Sequence, residues 1–210
     1  MNVAEQGMAV HLGAARLRFL QEVTVGIAGC GGLGSNCAVH LVRSGFRRFV
    51  LVDPDRVDPS NLNRQAFTLA QVGRPKVEAL AENMAAVNPD CEILAHDVTA
   101  TPDNMARLFA GCDAVVEAFD QPEAKAALVA ALVSSGRLVV AASGMGGFGD
   151  TDALVTRRIR DGFYLVGDGR TECDADNPPL SPRVGIVAAK QADVVLAHFL
   201  DQYAKREGGL

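Results

Sequence analysis

Six residues near the beginning of the chain have the glycine spacing that phosphate binding requires. The sequence GCGGLG at positions 29–34 follows a β-branched run and precedes a helical pattern. In that setting Gly29 permits a tight turn, Gly31 lets backbone amides approach phosphate oxygens, and Gly34 lets the helix pack closely on the sheet. Free amides and the helix dipole favour an anion there. Together with Gly32, these glycines are predicted to bind a nucleotide; the alternative is a turn that is merely close-packed.

Charged and amide side chains follow at the ends of later predicted strands. Asp53 ends the second strand nineteen residues after Gly34, about the spacing at which a carboxylate meets ribose hydroxyls. Lys76 begins the next helix, Asp120 ends the fourth strand, and the loop after Asp53 holds Asp55, Arg56, Asp58, Asn61, Asn63, Arg64 and Gln65. Because the carboxyl ends of parallel strands meet at one edge, these groups are expected to converge on one crevice.

These residue types suit phosphoryl chemistry. Arg64 and Lys76 can neutralise a triphosphate and the charge that builds in its transition state, and Asp120 can hold a magnesium ion that bridges phosphate oxygens. Arg64, Lys76 and Asp120 are therefore the candidate catalytic residues, with Asp120 as the metal ligand. The alternative is a hydrated loop with surface salt bridges.

Hydride transfer would need an acid or base beside the cofactor, and no histidine is placed for that role. The four histidines fall on terminal helices, in the helix after the glycine turn or inside a strand, namely His11, His198, His40 and His96. The residues therefore favour ATP over NAD. An NAD-dependent oxidoreductase and a nucleotide-sensing module without turnover remain the alternatives.

Hydrophobic periodicity predicts alternating strands and helices. Strands are predicted at 23–28, 49–53, 91–98, 114–119 and 138–142, and helices at 3–20, 33–44, 73–86, 102–109 and 122–134. A β-hairpin at 153–159 and 163–166, and a final helix from Ser181 to about Tyr203 with Ser181 as N-cap, complete the pattern. It predicts a Rossmann-like, doubly wound α/β fold whose sheet is mainly parallel, with a C-terminal β-hairpin extension.

Residues 1–210 are expected to form one domain, with an N-terminal helical arm at 1–22 and a mobile loop at 167–180. Hydrophobic residues make up 49% and charged residues 21% of the chain, as in an ordinary folded protein. The net charge of −5 argues against a nucleic-acid partner, and the basic cluster of Arg157, Arg158 and Arg160 is interpreted as a solvated strand edge. No apolar stretch could span a membrane and no secretory signal is present, so we expect a cytoplasmic protein.

Four motifs in order resemble those of the ThiF/MoeB family, which are relatives of ubiquitin-activating enzymes. The matching segments are GCGGLGS at 29–35, DPDRVDPSNLNRQ at 53–65, GRPK at 73–76 and the pair Phe119 and Asp120. The resemblance resumes at 180–192, in the family's C-terminal helix. The short length and the residues after the glycine turn are most similar to the short ThiF subfamily of thiamine biosynthesis.

The resemblance implies an adenylyltransferase that uses ATP and Mg²⁺. Its substrate would be the C-terminal glycine of a small ubiquitin-like sulfur-carrier protein similar to ThiS, in thiamine thiazole biosynthesis, with release of pyrophosphate. A MoaD-like carrier of molybdopterin synthesis is the alternative. The family pattern implies that Asp53 binds the ribose, Asn61 and Arg64 contact phosphates, Lys76 stabilises the pentavalent phosphorus and Asp120 holds Mg²⁺. Asp55 and Gln65 complete the expected nucleotide-binding set.

The resemblance also implies a homodimer in which Arg16 or Arg18 reaches the partner's ATP site. No structural zinc is expected, because the five cysteines include none of the C-x-x-C pairs that longer members of the family carry. Cys173 lies in the predicted loop among Glu172, Asp174 and Asp176, with Arg170 as its local counterweight. Because acidic neighbours disfavour a thiolate, it is interpreted as an incidental surface thiol rather than a covalent catalyst.

Overall fold

Seven strands form one sheet in the computed structural model, which describes residues 1–208. The strands are β1 Thr24–Ala28, β2 Arg48–Val52, β3 Glu92–His96, β4 Ala114–Glu117, β5 Leu138–Ala142, β6 Val155–Arg160 and β7 Phe163–Gly167. Their order is β3-β2-β1-β4-β5-β7-β6, and every neighbouring pair is parallel except β6 with β7. The strand order reverses at β1, which is where open α/β sheets bind ligands.

Seven α-helices within residues 1–208 accompany the sheet. They are α1 Val3–Leu12, α2 Ala14–Glu22, α3 Gly32–Arg43, α4 Lys76–Val87, α5 Pro102–Leu108, α6 Pro122–Leu132 and α7 Ser181–Glu207. Short 3₁₀ turns occur at Pro59–Asn61, Leu69–Gln71 and Thr151–Ala153. No helix within residues 1–208 is long and apolar enough to cross a membrane.

Two apolar cores lie on opposite faces of the sheet, because successive strand residues point to opposite sides. Val25 and Ile27 of β1 belong to the core that includes side chains of α3, α4 and α7, while Ala28 belongs to the core of α5 and α6. Gly26 faces this second core, where an added Cβ would lie 2.6 Å from Phe109 Cδ1. Helices on both faces leave the ends of the strands as the place for polar chemistry.

The predicted fold class is confirmed, and the differences are local. The single helix predicted at 3–20 is two helices, because Gly13 adopts a φ of 86° between them. Helix α4 begins at Lys76 rather than at Gly73, which has a φ of 86° and precedes Pro75. Gly209 and Leu210, the end of the predicted domain, lie outside the described residues.

The predicted N-cap of the last helix is wrong. Leu180 has extended backbone and occupies the N-cap position, so Ser181 and Pro182 are the first two helical residues. No side chain caps this end of α7. Proline tolerates either of the first helical positions because its missing N–H would have no helical partner there.

The N-terminal arm is anchored to the rest of the chain by a buried carboxylate. Glu5 of α1 is 1% exposed and accepts a hydrogen bond from Gln21 Nε2 of α2 at 2.8 Å. Asn88, which ends α4, donates to the same carboxylate at 3.5 Å, and Arg47 Nη1 lies 3.9 Å from it. A buried carboxylate with these partners fixes α1 and α2 against the domain.

Candidate functional site

The glycine turn connects β1 to α3 at the carboxyl edge of the sheet. Gly29 has a φ of 96°, and its N–H donates to Val52 O at 2.9 Å. An added Cβ at Gly29 would lie 2.7 Å from Ala118 O, and one at Gly34 would lie 1.8 Å from Gly29 O. The close approach of β1, β4 and α3 therefore requires glycine at both positions.

Gly31 has a different environment from Gly29 and Gly34. It is the N-cap of α3, no side chain caps the helix there, and an added Cβ would meet only Gln65 Nε2, at 3.8 Å. The first amides of a helix have no partner within that helix, and they carry the positive end of its dipole. The turn thus offers amide donors beside open space, which is the arrangement that binds phosphate.

Asp53 links the end of β2 to the glycine turn. Its Oδ2 accepts a hydrogen bond from the Cys30 amide at 2.6 Å, and its Oδ1 accepts one from the Asp55 amide at 2.8 Å. Burial raises the pKa of Asp53, and the nearby Lys76 charge partly opposes that rise. Each carboxylate oxygen has a second lone pair, so the group can still accept a ribose hydroxyl.

Lys76 begins α4 with its ammonium directed to the same edge of the sheet. Its side chain is 8% exposed, and Nζ lies 2.6 Å from Asp55 Oδ2. The Lys76 amide also donates to Asp55 O at 2.8 Å, so backbone and side chain hold the two residues together. The structure therefore brings Asp53, Asp55 and Lys76 together, as the sequence predicts.

The loop after Asp53 folds back over the start of α3. Arg64 places its Cγ 3.5 Å from the position of a Cβ on Gly32, and its Nη1 donates to Asn63 Oδ1 at 2.8 Å. Asn36 of α3 holds the loop by donating to Arg64 O at 2.8 Å and to Gly32 O at 2.6 Å. Arg64 therefore lies beside the glycine turn, with a neutral amide as its nearest side-chain partner.

Two further loop residues differ in how they meet the site. Gln65 is 8% exposed, and its Oε1 is buried without a hydrogen-bond partner in the described part of the chain. Because its Nε2 faces Gly31, this amide lies against the open side of the turn. Asn61 instead uses Oδ1 to accept from the Asp58 amide at 3.1 Å, which caps the 3₁₀ turn.

Asp120 follows β4 by three residues and is exposed. Its carboxylate forms no hydrogen bond or ion pair within residues 1–208. The segment that leads to it passes under the glycine turn, since Ala118 O lies closest to Gly29. Asp120 is thus an unengaged carboxylate at the edge where the other site residues meet.

Helix α7 and the segment at 167–180 close one side of the site. Val184 Cγ1 lies 3.0 Å from the position of a Cβ on Gly32, and Pro179 O accepts from Asn63 Nδ2 at 3.2 Å. Gly167 is the last residue of β7, so the predicted loop begins one residue later, and residues 168–180 contain no regular helix or strand. Thr171 O accepts the Met145 amide at 3.0 Å. The mobility of the loop stays a prediction.

A buried ion pair fixes the same segment to α7. Arg183 is 4% exposed, and its Nη2 donates to Asp168 Oδ2 at 2.6 Å. Burial alone would raise the pKa of Asp168, but hydrogen bonds from Thr171 and Arg170 and the charge of Arg183 outweigh it and lower the pKa to about 2. Asp168 is therefore a carboxylate at neutral pH, and the pair is ionic.

Cys173 is exposed in this segment, and its charged surroundings differ from those the sequence suggests. Burial of part of the side chain raises the pKa of its thiol, as does Asp174, while Arg64, Lys125 and Arg183 oppose the rise. These three cations come from distant parts of the chain, so the sequence around Cys173, where Arg170 is the local cation, does not reveal them. The net effect still disfavours the thiolate.

Several residues at the site had no individual role assigned from the sequence, although Ser35, Asn36 and Arg183 lie in or beside segments that resemble the family. They are Ser35, Asn36, Glu117, Lys125, Asp168 and Arg183. One sequence feature could have indicated Glu117: it is the charged residue in the otherwise apolar strand sequence AVVEAF. The strand sequence does not identify Lys125 as its partner.

The fold and the glycine turn define a Rossmann-like nucleotide-binding protein. The model of the ThiF family matches residues 4–206. The chain belongs to the ThiF family, so the predicted family is confirmed. The narrower assignment to the short ThiF subfamily stays a proposal.

Relatives and solved structures agree with the family and differ among themselves in function. The chain is 40% identical over 111 residues to tRNA threonylcarbamoyladenosine dehydratase of Bacillus subtilis, which is 52% of this chain and 44% of that protein. It is 35% identical over 136 residues to adenylyltransferase and sulfurtransferase UBA4 of Candida glabrata, covering 64% of this chain and 31% of that one. The chain thus spans less than half of these relatives' lengths.

A solved structure matches nearly the whole chain. It is tRNA N6-threonylcarbamoyladenosine dehydratase of Escherichia coli in complex with ATP, at a TM-score of 0.82 and 25% identity. The alignment covers 98% of this chain and 95% of that one. That structure contains bound ATP.

Two glycine substitutions separate binding from folding. Gly31→Ala is expected to raise the Kd for ATP about tenfold or more, because a methyl group would occupy the open side of the turn and cost at least one charge-assisted hydrogen bond. Gly34→Ala is expected to lower the free energy of unfolding by at least ~1–3 kcal/mol, because its Cβ would overlap Gly29 O. Calorimetry and urea unfolding measure the two effects.

Gly7→Ala is the matched control, since an added Cβ on this α1 residue meets nothing within 4 Å. It should change neither the Kd for ATP nor, beyond a small gain in helix propensity, the stability. Unchanged ATP affinity in Gly31→Ala would contradict the assignment of the turn as the phosphate site.

Proposed function

We propose that this protein uses ATP to adenylate a carboxylate. The carboxylate oxygen attacks the α-phosphorus, its new O–P bond forms as the bond to pyrophosphate breaks, and the products are an acyl-adenylate and pyrophosphate. The observation that carries this proposal is the meeting of the glycine turn with Asp53, Lys76 and the Asp120 segment at one sheet edge. The homologue with ATP bound favours ATP over NAD.

The residues around the glycine turn would bind the nucleotide. Asp53, held by two backbone amides, presents its remaining lone pairs to the ribose hydroxyls. Arg64 lies over the turn with a charged group that can pair with phosphate oxygens, and the unpartnered Gln65 Oε1 can accept from the nucleotide or its water. Asn61 would have to leave its capping role to contact a phosphate.

Lys76 would supply the main charge stabilisation. Its ammonium has three donors, and Asp55 Oδ2 uses one of them, which holds the group in place beside the turn. Only 8% of the Lys76 side chain is exposed, so water screens its charge little. A cation fixed in this way stabilises the negative charge that develops on the phosphate. Asp55 thus orients Lys76.

The donor set fits a magnesium ion held together with a nucleotide. Mg²⁺ in such sites keeps several waters and takes one or two carboxylates plus phosphate oxygens, rather than a cage of protein ligands. No group of three or more His, Cys, Asp or Glu side chains within residues 1–208 forms such a cage, while Asp120 has a carboxylate without other partners. When bound, the ion would neutralise phosphate charge.

Lys76→Ala and Asp120→Ala are each expected to lower the rate of ATP–pyrophosphate exchange about a hundredfold or more, because each removes a charge that acts on the transition state. Both residues lie at the sheet edge, so circular dichroism should show a native fold. Lys205→Ala, at an exposed position of α7, is the control and should keep full exchange. Exchange near the wild-type rate in both site variants would overturn the mechanism, and absence of exchange in the wild type with every substrate would favour a nucleotide sensor.

The acyl substrate we propose is the C-terminal glycine of a ubiquitin-like sulfur carrier, similar to ThiS, in thiamine thiazole biosynthesis. Support comes from the motif resemblance and from the relative named adenylyltransferase and sulfurtransferase. A MoaD-like carrier would use the same chemistry. The net charge of −5 fits a protein carboxylate better than a polyanionic RNA.

A second candidate substrate is a carboxylate on tRNA. The observation that favours it is the similarity to two dehydratases that act on threonylcarbamoyladenosine in tRNA, since the threonyl group of that nucleoside carries a carboxylate. The exposed arginines of β6 could then form ion pairs with the phosphates of the tRNA backbone. In this structure Arg158 pairs with Asp161 and Arg160 donates to Val133 O.

One exchange assay separates these substrates. A ThiS-like carrier, a MoaD-like carrier and tRNA with threonylcarbamoyladenosine are each added to the protein with ATP and labelled pyrophosphate. We expect exchange that depends on a carrier and disappears when the carrier lacks its terminal glycine. Exchange stimulated only by the modified tRNA would replace the carrier with the RNA carboxylate while leaving the adenylation chemistry intact.

We further propose that the protein forms a homodimer, as the family resemblance implies, and that it is cytoplasmic. Arg16 and Arg18 are both exposed on α2 and therefore free to meet a partner subunit. Light scattering should report twice the chain mass of 22.1 kDa at assay concentration. A fully active monomer would contradict the proposal, and loss of exchange in Arg16→Ala or Arg18→Ala with an unchanged dimer would identify the shared arginine.

A further inference from the structure

A buried polar cluster lies at the carboxyl ends of β4 and β5, next to the Asp120 segment. Glu117, the last residue of β4, is 1% exposed, and both of its carboxylate oxygens lie 3.2 Å from Lys125 Nζ of α6. Gln191 of α7 donates through Nε2 to Glu117 O at 3.0 Å and to Val140 O at 3.2 Å. The cluster thus joins two strands and two helices at the edge where the site lies.

Every donor of the Lys125 ammonium has an acceptor inside the protein. Two are the Glu117 oxygens and the third is Ala142 O, at 3.3 Å. A lysine has three N–H donors, so none remains for a phosphate or an acyl group. Lys125 therefore acts on the site through other residues and does not contact the nucleotide.

The carboxylate of Glu117 determines the path of the chain towards Asp120. Its Oε1 accepts the Phe119 amide at 2.8 Å, which fixes the residue immediately before Asp120. On its other side the segment is confined by the glycine turn, since Ala118 O lies 2.7 Å from the Cβ position of Gly29. The backbone that carries Asp120 is thus held between Glu117 and the glycine turn.

The Glu117–Lys125 pair contributes little net stability. Glu117 is buried and Lys125 is partly exposed, so desolvation of the carboxylate offsets much of its attraction to the ammonium. Burial raises the pKa of Glu117, and the Lys125 charge with its hydrogen bonds opposes that rise. The pair's definite geometric effect is the position of Phe119 and Asp120, which an apolar pair would not set.

We infer that the Glu117–Lys125 ion pair is a positioning device that fixes the Asp120 carboxylate relative to the glycine turn and so sets the affinity of the nucleotide site for a divalent cation. The inference rests on the proposed function, in which Asp120 holds Mg²⁺. Glu117 and Lys125 are positioning residues in this scheme, and neither touches the reacting atoms.

The test measures the Kd for ATP by calorimetry with and without Mg²⁺, so that it does not depend on turnover. Glu117→Gln keeps an oxygen that can accept the Phe119 amide but removes the charge that pairs with Lys125. It is expected to reduce the gain in ATP affinity that Mg²⁺ provides by about tenfold, because loss of an interaction that orients a metal ligand typically costs 10–100-fold in metal affinity. ATP affinity without Mg²⁺ should stay within about twofold of wild type, since the glycine turn is unchanged. Lys125→Arg keeps a cation beside Glu117. In this variant Mg²⁺ should therefore raise ATP affinity more than it does in Glu117→Gln, though less than in the wild type.

Glu5→Gln is the matched control, because Glu5 is also 1% exposed and lies in the polar network of the N-terminal arm. It should lower the stability while leaving the effect of Mg²⁺ at the wild-type value. If Glu117→Gln does not fold, Lys125→Gln is measured in its place, with the same expectation. Two results would overturn the inference: a wild-type Mg²⁺ effect in the Glu117 and Lys125 variants, or equal loss of affinity with and without Mg²⁺.

Asp120→Ala distinguishes failure of this inference from failure of the proposed function. A protein that binds ATP with Mg²⁺, loses the Mg²⁺ effect in Asp120→Ala and keeps it in Glu117→Gln retains the proposed function without the positioning device. A wild-type protein that does not bind ATP under either condition removes the proposed function itself, and the positioning role falls with it.

Discussion

The contact between β1 and α3 is the constraint on which the rest of the site depends. At Gly34 the helix approaches the strand so closely that a single methyl group would overlap the carbonyl oxygen of Gly29. This approach directs the first amides of α3 past the carboxyl end of β1, and it brings β4 and the Asp120 segment to the other side of the turn. Asp53 then completes the frame by accepting the Cys30 amide. The positions of the ionisable groups follow from this backbone arrangement.

Charge at this edge of the sheet is organised in pairs with different degrees of burial. Lys76 is almost fully buried while its partner Asp55 is largely exposed, so the cation is desolvated and the anion remains hydrated. Glu117 shows the opposite arrangement, with a buried carboxylate and a partly exposed Lys125. Arg183 and Asp168 are both buried. A desolvated cation beside the glycine turn would stabilise negative charge in the proposed adenylyl transfer. In each pair, the partner restrains the position of the charged group.

Local patterns in the sequence predict the helices, the strands and the glycine turn well. They predict poorly which side chains distant in sequence form pairs. The strand at 138–142 is apolar at every position and is found at Leu138–Ala142 as predicted. Gly13 and Leu180 differ from prediction because a left-handed glycine and an uncapped extended residue determine where helices begin and end, and neither leaves a periodic signal. Asp55 and Lys76 could be expected to meet because both sit at strand or helix ends. The pairing of Arg183 with Asp168 could not be expected, because it depends on how α7 packs against the segment that follows β7.

The strand order has a consequence for how the protein acquires its site during synthesis. The strand β1, which carries the glycine turn, pairs with β2 soon after it in the chain, but its other neighbour is β4, and Val25 meets Ala114 only after β3 and α5 have been made. Helix α7, which covers Gly32, is made after all of these elements. Contacts between distant parts of a chain form slowly, because the entropic cost of closing a long loop comes before any stabilisation by those contacts. A nascent chain or an N-terminal fragment would therefore contain the whole GCGGLG motif and still lack a nucleotide pocket.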